Sequence, residues 1–307
     1  MNKGRLVYLL FVLWGITLGT YALLEIMPGD PAEIILRHQN ETVTADNVGA
    51  LREQMGLDAP FWVRYGNWLA SAARGDWGRS WRTGEPVWMA LKDRLWATME
   101  LALSSLILVI ALSIAMGVVA ALFQNSIPDQ LIRIVAVLFC SMPSYWLALL
   151  LIYFFSLKIS VFPVAGRGTW AHVVLPSLTL AISVAMLQGR VLRSALIQVL
   201  STDYIRFAVA QGLHRPTIYF HHIMRNVLPT MVTLWGASLG QLMGGAVIVE
   251  SIFAWPGLGR LTVTAVMGRD VPQVQAIVFF LAVVFVAVHQ LVDLLHGKLD
   301  PKVGKGR

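Results

Sequence analysis

Apolar stretches of about 20 residues, the length of helix that crosses a hydrocarbon layer about 30 Å thick, recur along this chain. They occupy residues 6–26, 97–123, 131–157, 173–186 (or on to 196), 231–253 and 274–295. Lipid offers no partner to an unpaired backbone N–H or C=O, so each stretch is expected to be a helix. The alternating pattern of a membrane-barrel strand is absent. Only 13% of the 307 residues are charged and 57% are hydrophobic, against about 25% charged in a typical soluble domain. A water-soluble enzyme is thereby excluded. The expected fold class is an all-α integral membrane protein with about six transmembrane helices. Its fourth span is the weakest, interrupted by Pro176 and running into Arg190 and Arg193.

Lys3 and Arg5 precede the first apolar run, as they would in a signal peptide. The run is too long for one, and no small-x-small cleavage site follows before Met27, so it reads as a retained anchor. An even number of spans puts both termini on one side. That side holds Lys3, Arg5, Arg133, Arg190, Arg193, Arg206, Arg215, Arg225, Lys298, Lys302, Lys305 and Arg307. The short loops opposite hold only Lys158, Arg167, Arg260 and Arg269. This bias places both termini in the cytoplasm. The formal charge of +7 then reflects basic cytoplasmic loops rather than nucleic-acid binding.

Three regions follow: an N-terminal transmembrane helix over 1–26, an external segment over 27–96, and a core of five spans over 97–307. The external segment is amphipathic and mixes acids with bases. Trp62, Trp68, Trp77, Trp81, Trp88 and Trp96 are scattered along it. Such aromatics favour a membrane–water interface. Two readings stand: a small cap on the outer surface, or a docking surface for an external partner.

The residues of an enzyme or primary pump are missing. No phosphate-binding loop occurs, since Gly297-Lys298 lacks both the upstream glycine and the following hydroxyl residue. Neither H-E-x-x-H nor G-x-S-x-G occurs, and Gly257-Leu258-Gly259 lacks the strand–helix setting of a dinucleotide fingerprint. Cys140 is the one cysteine, which supports neither a disulfide nor a thiolate metal cage. A stand-alone ion-coupled carrier needs an ionisable group deep in a span. Glu25, Glu100, Glu250 and Asp293 all lie near span ends; His289 is the most interior ionisable group, and with Asp293 four residues on it reads as a local pair, a proton relay being the alternative. Small residues recur every fourth position as Gly236, Gly240 and Gly244, as Ser113, Gly117 and Ala121, and as Gly15 and Gly19. That spacing lets helices approach closely. For the first set, a pathway-lining role is the alternative.

The cytoplasmic loop, about 197–229, is unusual. Thr202 or Asp203 can cap a helix, Ala208 and Ala210 favour one, and Gly212 can end it in a left-handed conformation. After His214-Arg215-Pro216-Thr217 a second helix is expected to restart and return to the membrane before Pro229. An exposed helical elbow of this kind suits a groove on another protein, although a solvated basic loop is an equal reading.

The segment resembles the EAA loop of bacterial ABC-importer permeases, in the form used by the dipeptide/oligopeptide/nickel branch. Ala208, Ala210 and Gly212 match its small residues, and Arg225-Asn226 with Leu228-Pro229 match its end. Arg206 and Phe207 depart from the general pattern of Glu and Ala. Further matches run in order along the chain: Met27-Pro28-Gly29-Asp30-Pro31, Gly56-Leu57-Asp58-Ala59-Pro60, Gly75 to Ser80, Ser141-Met142-Pro143, Glu250 to Arg260, Arg269-Asp270, Val292 to Leu295, and Leu299-Asp300-Pro301. The resemblance implies a type I importer permease of the bacterial cytoplasmic (inner) membrane, acting as a B-type subunit that forms half of a pathway with a C-type permease. It also implies two cytoplasmic ATPase subunits, which hold ATP and Mg while this chain binds no cofactor, and an extracytoplasmic solute-binding protein. On that footing Asp203, Tyr204, Arg206, Ala208, Ala210, Gly212 and Leu213 belong to the ATPase-coupling helix. Peptides are the expected cargo, with nickel or a metal–chelator complex as the alternative. The segment from Gly168 to Pro176 is similar to nickel-type and oligopeptide permeases. Met142, Met186, Met224, Met231, Met243 and Met267 read as packing residues rather than metal contacts. His172, His221 and His222 are no better as ligands.

Overall fold

The computed structural model describes residues 3–38, 42–214, 217–218 and 223–299. Arg215, Pro216, His221, His222 and everything from Asp300 onward lie outside the described residues, as does the side chain of Asp293. Regular structure among the described residues is almost entirely helical. Five helices are long and apolar enough to cross a membrane, and a bent pair makes a sixth if it is one span.

The helices run longer than the apolar stretches alone suggest. They are α1 Lys3–Ile26, α2 Pro31–His38, α3 Ala45–Gln54, α4 Phe61–Ala73 and α5 Val87–Leu122, then α6 Ile127–Ser141, α7 Ser144–Leu151, α8 Trp170–Leu200 and α9 Asp203–Ala210. Met224–Ile252 is α10, Leu258–Met267 is α11 and Val271–Leu299 is α12. The fourth span is not weak. It is α8, 31 residues, or about 46 Å at 1.5 Å per residue. Pro176 sits inside it without ending it, and Thr169 and His172 close a capping box at its start. The third span is not the single helix expected over 131–157. α6 and α7 meet at an angle of 108°. Pro143 disfavours helical backbone at the residue before it, and Met142 is extended, with φ −78° and ψ 128°. Past Leu151 the helix loosens to π geometry over Ile152–Lys158, where Ile159 N–H reaches the Phe154 carbonyl at 3.0 Å.

The chain forms two compact units. One comprises Met1–Ala97 with Pro256–Val286, so residues 27–96 share a unit with the connection after the fifth span. Leu24, Val87, Leu91, Leu258, Leu261, Ala265 and Ile277 form its apolar core. The Trp77 ring lies against Phe279 and Phe280. Its polar frame joins stretches that are far apart in sequence. Asp30 accepts from Ala32 N–H to start α2, and it pairs with Arg52. Arg52 also holds Asp58. The buried Arg269 donates to the Leu24 and Pro28 carbonyls, while buried Asp270 accepts from Ser80 Oγ and from Trp81 N–H.

The other unit comprises Thr98–Trp255 and Ala287–Arg307. α8 is its centre, packed on α6, α7 and α10. A Cβ placed on Gly117 would stand 2.8 Å from Leu192 Cγ and 2.9 Å from the Gly189 carbonyl oxygen. The expected small-residue stripe of α5 is therefore a close helix crossing. Ser113 in the same stripe accepts from Trp235 Nε1 at 3.1 Å. Gly15 and Gly19 meet nothing.

Asp129, fully buried in the first turn of α6, takes a two-pronged ion pair from Arg193 of α8 at 2.7 Å. Arg133 approaches the same carboxylate only to 3.7 Å and is half exposed. Breaking a buried pair strands a charge, whereas an exposed partner contributes little. Arg193→Gln is therefore expected to lower the Tm of the detergent-solubilised protein clearly, and Arg133→Gln hardly at all. Gly117→Leu is expected to cost about 1–3 kcal/mol or more by overpacking, seen as lost thermal stability and abundance. Gly15→Leu is the neutral control.

Candidate functional site

The first arm and the turn of the elbow expected over 197–229 are present, while the restart expected after His214-Arg215-Pro216-Thr217 falls largely outside the described residues. α8 ends at Leu200, and α9 begins at Asp203 after two intervening residues. Ser201 Oγ donates to the Gln198 carbonyl and Thr202 Oγ1 to that of Val199. Thr202 thus ties the turn back to α8, while Asp203 supplies the acidic first turn of α9 that favours a helix N-terminus.

Gly212 has φ +75°, the left-handed conformation expected of it. Leu213 N–H returns to the Ala208 carbonyl at 3.3 Å, the closing bond of a Schellman turn. No atom of the described residues lies within 4 Å of where a Cβ on Gly212 would sit. Ile205 and Ala208 are buried, whereas Asp203, Tyr204, Arg206, Phe207, Ala210 and Leu213 are exposed. α9 therefore presents an outward face of aromatic, small and basic residues. Arg206 and Asp203 form an exposed pair at 3.5 Å. The amide of Asn226 donates to Tyr204 Oη, which links α9 to the first turn of α10. The structure thus joins two parts of the loop that are 22 residues apart.

The glycines of the fifth span do not share one role. A Cβ on Gly236 would overlap Val292 of α12, Gly240 is buried, and Gly244 faces open space. Gly245, its neighbour, has Leu180 at 3.4 Å from its Cβ position.

Of the carboxylates near span ends, Glu25, Glu100 and Glu250 are engaged, and the side chain of Asp293 lies outside the described residues. Arg64 pairs with Glu25 and Arg167 with Glu100. Glu250, fully buried, accepts from Thr98 Oγ1 at 2.7 Å. Around it, Gly166 N–H donates to the Phe253 carbonyl at 2.8 Å, and the Arg167 guanidinium lies over Trp255. Sequence reasoning missed the Asp129–Arg193 pair. Asp129 is the one acid between Glu100 and Asp203, so it was the partner to seek for an arginine at the end of an apolar helix.

Among the described residues no group of three or more His, Cys, Asp or Glu gathers to hold a metal. His172 caps α8 through Thr169. Met186, Met231 and Met243 are buried while Met267 is exposed.

Comparison with known proteins agrees with this architecture. Residues 113–305 match the family described as binding-protein-dependent transport system inner membrane component, and residues 3–102 match the N-terminal region of such components. The glutathione transport system permease protein GsiC of Escherichia coli strain K12 is 34% identical over 299 residues, covering 97% of each chain. GsiC of Shigella boydii serotype 4 is 33% identical over the same extent. A chain of the MetNI methionine ABC transporter, solved in an inward-facing conformation, superposes with a TM-score of 0.59 at 18% identity, over 70% of this chain and 99% of that one. The same transporter in a second crystal form gives 0.58 at 17%. The type I importer fold follows from these matches, as does a multi-pass place in the bacterial inner membrane, where such components work with ATPase and binding-protein partners. The chain belongs to the binding-protein-dependent transport system inner membrane components, in the peptide/nickel branch, and is a permease subunit of an ABC importer, not an enzyme.

Proposed function

We propose that this permease passes short peptides inward, as half of a pathway completed by a C-type permease, and that residues 203–213 are the knob on which one of two ATPase subunits pulls. ATP and Mg reside on those subunits, and an extracytoplasmic binding protein delivers the cargo. The observation that carries the coupling role is α9 itself. It is a short helix with an outward face of Tyr204, Arg206 and Phe207, anchored by buried Ile205 and Ala208 and stopped by left-handed Gly212. ATP favours the closed arrangement of the ATPases, and α9 passes that preference to the spans as a rigid-body change. The peptide reading draws support from relatives named for the transport of glutathione, itself a tripeptide.

Since no atom among the described residues crowds the Cβ position of Gly212, the cost of a side chain there is backbone strain, about 1–3 kcal/mol. Gly212→Val is expected to abolish ATP-driven uptake while leaving insertion and abundance intact. Gly212→Asn, which tolerates the left-handed region, is expected to keep much of the uptake. Normal uptake in Gly212→Val would remove the coupling assignment. For the cargo, uptake by the full transporter with its binding protein is expected to be competed by di- and tripeptides. Competition by nickel or its chelates, with none by peptides, would replace the peptide reading.

A further inference from the structure

We infer that α4, in the segment expected to lie outside the membrane, is embedded in the outer leaflet beside α1, with one apolar face held against lipid acyl chains. The argument starts from which side of α4 faces where. Its exposed residues are Trp62, Val63, Gly66, Leu69, Ala70 and Ala73, with Asn67 the only polar one. Trp62 is 68% exposed and Leu69 40%. The spacing of 62, 66, 69, 70 and 73 is one continuous helical stripe. The one charged residue, Arg64, is turned inward. It pairs with Glu25, donates to the Ala59 carbonyl at 3.0 Å, and leaves 14% of its side chain exposed. Tyr65, beside it, is buried. A helix on an aqueous surface turns charge outward, whereas α4 buries aromatic Tyr65 on one side and presents no charge on the other. The order seen here is the one lipid requires.

Depth is fixed by α1. Tyr65 Oη shares a hydrogen bond of 2.9 Å with Thr17 Oγ1, and Tyr21 packs edge-on against Phe61 and Tyr65. Thr17 precedes Ile26, the last residue of α1, by nine residues, or about 13 Å along the helix axis. Glu25, which receives Arg64, is at the outer end of the same helix. α4 is therefore strapped to the last three turns of a helix that crosses the membrane over Val7–Ile26. Ile16 and Leu23 of α1, at the same span of that helix, are likewise exposed and apolar. The occupant this face fits is the acyl-chain region just below the lipid headgroups, where tryptophan is favoured.

The test uses the full-length chain assembled in its transporter and reconstituted in phosphatidylethanolamine–phosphatidylglycerol vesicles. Cys140→Ser removes the native thiol, and a bimane label is placed on Trp62→Cys or on Ala70→Cys. Glu53→Cys, exposed on α3, is the control in water. Labels at 62 and 70 are expected to be quenched several-fold more than the control by lipids bearing a nitroxide high on the acyl chain. The control is expected to be quenched several-fold more by aqueous iodide. Ala70→Cys removes no aromatic ring, so it decides the matter if the Trp62 variant fails to assemble. Iodide quenching at 62 and 70 equal to the control would return α4 to the aqueous face. Protection from both quenchers would mean that another polypeptide covers the stripe. Either result overturns the inference.

Discussion

The hydrocarbon interior gives a backbone amide nothing to bond with, and that one constraint organises the rest of this protein. It makes α5, α8 and α10 long and unbroken, and it keeps α8 helical through Pro176. Where the ladder does break, at Met142-Pro143, Ser183 Oγ donates to the freed Phe139 carbonyl, and where it loosens to π geometry over Ile152–Lys158 the Phe154 and Phe155 carbonyls accept from Ile159 and Val161 N–H. The same solvent supplies no hydrophobic drive between helices. Association therefore rests on close fit, as at Gly117 against Gly189, and on polar ties such as Trp235 to Ser113.

Charge obeys the same rule. Asp129 with Arg193, Glu100 with Arg167, Glu25 with Arg64 and Glu250 with Thr98 are each satisfied by a named neighbour. A carrier driven by protons needs a group that changes partner as it titrates. These carboxylates instead hold helices and loops in place. That arrangement suits a chain that is moved from outside itself, by nucleotide binding on companion subunits.

Much of this was legible in the sequence, because lipid leaves few alternatives. The spans follow from apolar length, the elbow from its small residues, and the left-handed Gly212 from its place after Ala210. What escaped notice depends on pairings across long separations. Asp30, Asp58, Ser80, Arg269 and Asp270 sit in motifs that look independent along the chain, yet they close one polar frame within a single unit. Apolar length also hid the break in the third span. Hydropathy sums across residues 131–157 without regard to Pro143, whose effect is on the backbone of Met142 rather than on polarity. The glycines at 236 and 244 belong to one evenly spaced set but differ in surroundings, since a helix in a bundle turns different sides to different partners.

Rigidity of the elbow follows from its attachments. Between Leu200 and Asp203 there is no slack, because Ser201 and Thr202 both bond back to the last turn of α8. Ile205 and Ala208 bury the inner side of α9, and Asn226 links Tyr204 to the start of α10. A force on the outward face of α9 thus reaches two spans at once. α8 carries it on to α6 through Arg193 and Asp129, and to α5 through the crossing at Gly189 and Gly117. Packed helices of this kind move as bodies or not at all. The 108° break between α6 and α7 leaves two rods where one straight span would leave one. Both pack on α8, and α7 packs on α10 as well. The proline that spoils the third span as a straight helix therefore lets that span grip α8 along two directions, which ties it more firmly into the bundle that α9 joins.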